Sequence, residues 1–77
     1  MDSIKKDTII AEKYASIRKT TNMSKKAFAE SLGIHPVVSG DIELGKREPS
    51  RFVLTRLAKV YGIDLNWFLI GDNKRQA

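Results

Sequence analysis

Residues 24–45, SKKAFAESLGIHPVVSGDIELG, contain two short helical patterns joined by a tight turn. Ser24 is a good N-cap, and Ala27, Phe28, Ala29 and Leu32 follow it as the apolar set of one helix. Gly33 supplies the C′ position, which tolerates positive φ. A turn through Ile34 leads to His35-Pro36, and proline suits the first helical position because its missing N–H costs nothing there. A second helix from Pro36 to about Leu44, stopping at Gly45, is therefore predicted. Ala29 is small where the two helices must approach closely. Gly33 lies four residues on, and Ile42 nine residues after it.

This spacing is that of a helix-turn-helix, in which the second helix can project into a major groove. The flanking sequence supplies more helices. Ile10, Tyr14 and Ile17, spaced i, i+4, i+7, mark a helix from Asp7 or Thr8 to Thr20, and Asn22 suits the left-handed residue after its end. Residues 1–7 are read as a flexible arm. Lys46–Ser50 reads as a loop and Arg51–Tyr61 as a helix ended by Gly62, with Leu54, Leu57, Ala58 and Tyr61 facing inward. Asp64 caps a last helix, Leu65–Ile70, closed by Gly71. Residues 72–77 form a tail. The expected fold is all-α: a compact five-helix bundle over residues 8–71 that contains the helix-turn-helix.

Composition narrows the function. A chain of 77 residues forms one small domain. Cysteine is absent and His35 is the sole histidine, which excludes disulfides, thiolate sites and a His cluster, so no metal is expected. No apolar run approaches a membrane span, and the first ten residues are too short and acidic for a signal peptide. A cytoplasmic location is expected. There is no nucleophile–base pair, no phosphate-cradling glycine loop and no room for a sizeable cleft, so neither an enzyme, a cofactor nor a small-molecule substrate is expected.

The net charge of +5 favours a polyanionic partner, and its distribution says more. Arg18, Lys19, Lys25 and Lys26 lie in a stretch free of acids. Lys46, Arg47, Arg51, Arg56 and Lys59 form a second group broken only by Glu48. Charge gathered in two patches is what a phosphate-tracking surface requires.

From about Ile10 to Gly71 the chain resembles the lambda-repressor-like family of phage repressor and Cro-type helix-turn-helix domains. IRKTTNMSKKAFAESLGI matches the family's first helix end, cap residue and second helix. DIELGKREPS matches its "I-E-x-G-K-x-x-P-S" segment, and AKVYGIDLNWFLIGDN its terminal block. The resemblance implies a structural ion pair between Arg18 and Glu43. It also implies phosphate contacts from Ser24 and Lys25 at the start of the second helix, and from Lys46 and Arg47 in the loop after the third. Lys26 and Arg51 join this phosphate set.

The reading positions depart from the family. Relatives usually carry Gln, Ser, Thr, Arg or Asn on the outer face of the third helix; this chain has Pro36, Val37, Gly40 and Asp41. Val37 offers methyl contacts that suit thymine. Asp41 can accept from cytosine N4 but would be repelled by phosphates. His35 can cap the helix or donate to a phosphate or a guanine. Base contacts are thus expected from His35, Val37, Gly40 and Asp41. Ser39 stands where the family usually has Ile or Val in its core. Val38 and Ile42 can take over by a slight rotation of the helix, which would shift the exposed face towards Val37, Ser39 or Gly40, and Asp41.

The expected function is a sequence-specific regulator of transcription that binds double-stranded DNA, a phage-type repressor occupying an operator. With Leu65, Phe68 and Leu69 serving the core, Trp67 and Ile70 are left for a homodimer seam. Two alternatives stand beside this: a protein-interaction module on the same fold with a degenerate recognition helix, and the N-terminal domain of a longer regulator.

Overall fold

The structure, a computed structural model, describes the backbone of residues 2–70 and the side chains of residues 9–70. Five helices follow in order: α1 Asp2–Thr21, α2 Lys25–Leu32, α3 Pro36–Glu43, α4 Arg51–Tyr61 and α5 Leu65–Leu69. No strand occurs among the described residues. The bundle is all-α, as the apolar spacing predicts.

Local chemistry sets most boundaries. The Ser24 hydroxyl accepts from the Ala27 N–H at 3.1 Å and starts α2. Ser50 does the same for α4 through Val53, and Asp64 for α5 through Asn66. Gly33 ends α2 at φ 74°, and its N–H reaches back to the Glu30 carbonyl. Asn22 follows α1 at φ 63°, the left-handed residue its type allows.

The sequence reading of α1 needs correction at its start. The helix begins at Asp2 rather than at Asp7 or Thr8, so the segment read as an arm is helical from residue 2. Residues 2–7 contain neither glycine nor proline, so nothing in them breaks a helix once the apolar face downstream is packed. Gly71 and the tail over 72–77 lie outside the described residues.

The core is built from every helix: Ile10, Tyr14 and Ile17 of α1, Phe28 and Leu32 of α2, Ile42 of α3, Val53 and Leu57 of α4, and Phe68 of α5. Phe28 stands at its centre, with the Tyr14 ring edge-on at 5.3 Å and the Tyr61 ring stacked at 5.4 Å. In α4 the inward set includes Val53, while Leu54 and Tyr61 are only partly buried. Leu69 is exposed rather than buried. In a helix of five residues Phe68 takes the inward direction, and the next side chain, about 100° round, falls outside. α3 packs against both α1 and α2, α4 packs on α2, and α5 on α1. No helix among the described residues is long and apolar enough to cross a membrane.

Candidate nucleic-acid interface

α3 is held from beneath by two polar contacts to α1. The Arg18 guanidinium meets Glu43 through Nη2 at 2.9 Å and Nε at 3.1 Å, and also donates to the Met23 carbonyl at 3.2 Å. The carboxylate partner raises the guanidinium's proton affinity further. One turn earlier on both helices, the Tyr14 and Ser39 hydroxyls meet at 2.6 Å. Ser39 is 3% exposed, so it keeps the inward position and the rotation that would expel it does not occur. Val38 is partly buried and packs against the core that includes Ile42. Tyr14, not Val38 alone, makes a serine tolerable there: its hydroxyl satisfies a group that would otherwise be buried without a partner.

With Ser39, Ile42 and Glu43 turned inward, helical periodicity sends Val37, Gly40, Asp41 and Leu44 to the opposite side. Val37 is 62% exposed and Leu44 66%. Gly40 opens on free space, since a Cβ built there meets no atom within 4 Å. Leu44 is absent from the sequence-derived set. Its i+7 spacing from Val37 was the available signal. His35 is the N-cap of α3: its Nδ1 accepts from the Val37 N–H at 3.0 Å. A neutral ring accepting at Nδ1 carries its proton on Nε2, so the ring both caps the helix and keeps one donor.

Asp41 does not stand alone. Arg47, in the loop after α3, reaches to 3.8 Å from its carboxylate, with the Arg47 side chain 52% and the Asp41 side chain 31% exposed. At that distance and exposure the pair adds little stability, but it offsets a negative charge on the outer face.

The cations divide by what they touch. Arg18 is committed to Glu43, and Arg56 donates from Nε to the Leu32 carbonyl at 3.3 Å, tying α4 to the end of α2. Lys25, Lys26, Lys46, Arg47 and Arg51 are exposed. Lys25 and Lys26 open α2 and Arg51 opens α4, and neither helix carries an acid in its first turn. A helix N-terminus prefers negative charge, so cations beside the free N–H groups weaken the helix unless an anion joins them. Ser24 is exposed at the first of these ends, its hydroxyl already used as the cap. A phosphate is the anion such an end is built to receive.

Between α1 and α5 Lys13 donates to the Trp67 carbonyl at 2.7 Å and lies 4.9 Å from the centre of the Trp67 ring. Trp67 is half-buried against the core, whereas Ile70 is exposed. Ile9, one turn before Lys13 on α1, and Leu69 are exposed as well.

No curated protein and no solved structure matches the chain significantly. A family model described as helix-turn-helix matches residues 15–68, a span from the middle of α1 through Phe68 that takes in the Arg18–Glu43 contact and the capped turn. The chain belongs to the lambda-repressor and Cro-like helix-turn-helix family, and is a DNA-binding regulator of transcription.

Proposed function

We propose that the protein is a sequence-specific repressor of phage type that binds double-stranded DNA and acts by occupying an operator. One observation carries this reading: α3 is fixed on its inner side by Tyr14 and Arg18 while Val37 and Leu44 on its outer side are exposed, and the starts of α2 and α4 carry cations and no acid. α3 would lie in the major groove with His35, Val37, Gly40 and Asp41 nearest the bases. Ser24, Lys25, Lys26, Lys46, Arg47 and Arg51 would hold the backbone on either side.

Selection from a randomised duplex pool tests the sequence preference. The enriched site, placed across a promoter, should then block transcription in a purified system in proportion to its occupancy. Enrichment of a motif without any loss of transcript would leave a DNA-binding protein that does not repress.

The reading includes a homodimer joined at the α5 end, supported by the exposure of Ile9, Leu69 and Ile70, with Trp67 supplying its outer edge. Two-fold pairing would set two α3 helices about one turn of duplex apart, and a site with inverted half-sites is the corresponding target. The exposed apolar side chains Val37, Leu44 and Phe52 favour a second reading, in which this face binds a protein. A selection that enriches no motif, together with recovery of a protein partner abolished by Val37→Asp, would favour it.

A further inference from the structure

We propose that α3 reads pyrimidines: Val37 packs on a thymine 5-methyl group and Asp41 accepts from a cytosine N4 amino group. This rests on the DNA-binding reading above and specifies its chemistry.

Hydrogen-bond donors are missing from the outer side chains of α3. Between Pro36 and Leu44 the outward side chains are Val37, Gly40, Asp41 and Leu44, and none carries an N–H or O–H. The other polar side chains of α3 are spent inside, Ser39 on Tyr14 and Glu43 on Arg18. In the major groove guanine presents two acceptors and is read by side chains that donate; adenine sets its N6 donor beside the N7 acceptor, whose lone pair repels a carboxylate. Thymine adds a methyl group and cytosine a donor, and these are what a valine and a carboxylate can recognise. His35 keeps one donor at Nε2, ahead of the first turn and outside the Val37–Asp41 pair.

The geometry lets both contacts form together. Val37 and Asp41 are four residues apart, about 6 Å along the helix axis, which spans one to two base steps of about 3.4 Å. Gly40 stands between them with no side chain, so base edges can approach the backbone there. Arg47 beside Asp41 lowers the repulsion between the carboxylate and nearby phosphates, and an ionised carboxylate has lone pairs enough for both partners. A thymine and a cytosine one or two steps apart should therefore recur in each half-site.

The test compares duplex selections for the wild type, Val37→Ala and Asp41→Asn, followed by replacement of the selected thymine with deoxyuridine. For the wild type, losing that methyl group should weaken binding about fourfold, the equivalent of one buried carbon. Val37→Ala should be indifferent to the replacement. Asp41→Asn should change the preferred base from cytosine to adenine, because a carboxamide both donates and accepts. A clear motif that tolerates uracil, with Asp41→Asn selecting the same site, overturns the pyrimidine reading and leaves DNA binding intact. Absence of any motif or any salt-dependent duplex binding overturns both.

Discussion

The hydroxyls of Tyr14 on α1 and Ser39 on α3 share a hydrogen bond of 2.6 Å inside an otherwise apolar core. Neither residue is explicable alone. A serine in that position would leave a hole and an unsatisfied oxygen, and the tyrosine would bury its phenol without a partner. Deleting either partner should cost about 1–3 kcal/mol, because the survivor is stranded. The pair Tyr14→Phe and Ser39→Ala should cost clearly less than the sum of the two singles. Urea unfolding of the four proteins, arranged as a double-mutant cycle, measures the coupling; additive costs would mean that the bond contributes nothing.

Alkaline pH should probe the same contact. Burial pushes the Tyr14 phenol above its usual 10.0, and the bond to Ser39 works against this without cancelling it. The folded protein then keeps a proton that the unfolded chain releases. The resulting stability is intact below about pH 10 and declines as pH rises from there through the higher folded-state value. Tyr14→Phe should flatten the fall in urea midpoint across that window relative to wild type, whatever its effect at neutral pH.

These contacts show where sequence reading reaches its limit. Ser24, Gly33, Asn22, Ser50 and Gly62 act on their immediate neighbours, so the ends of α2 and α4 can be read within a few residues of each cap. Ser39 depends on a residue 25 positions away, and in one dimension it resembles a fault in the apolar pattern. Arg56 and Arg51 look equivalent as charges, yet one is tied to the Leu32 carbonyl and the other is free to face a ligand. The early start of α1 was hidden for a different reason: polar residues without a breaker are compatible with a helix or an arm, and packing further along the chain decides.

α3 should respond to its own cap and to its glycine in opposite directions. His35→Ala removes the acceptor for the Val37 N–H and should cost about 1 kcal/mol. Gly40→Ala adds a methyl group in open space and should return about the same amount through helix propensity. The double variant should match wild type in thermal unfolding. Failure of Gly40→Ala to stabilise would show that the backbone there is not a regular helix in solution.

Salt dependence separates the roles of the basic residues. Lys25→Ala and Lys46→Ala should each flatten the plot of log affinity against log salt by about 0.9 and weaken all sequences alike. Arg47→Ala should do more, since it also leaves Asp41 uncompensated beside the duplex. Adding Asp41→Asn should recover part of that excess. Equal losses for Arg47→Ala with and without the second change would remove Asp41 from the interface.

Assembly can be tested at Ile70. Sedimentation equilibrium of the wild type should show a monomer–dimer equilibrium, and Ile70→Glu should shift it to monomer. The same change should weaken binding to an inverted repeat far more than to a single half-site. A wild type that stays monomeric at high concentration would rule out the α5 seam.

α3 divides its labour by direction: Tyr14 and Arg18 grip one side, while the opposite side leaves Val37 and Leu44 exposed and carries the loose Asp41–Arg47 pair. Substitutions outward can accumulate without endangering the fold, while the inward residues change only in company with their partners on α1. Under the reading proposed above, a lineage carrying this scaffold is free to trade one target site for another in single steps, and the sparse outer face of α3 is a starting point for new specificities.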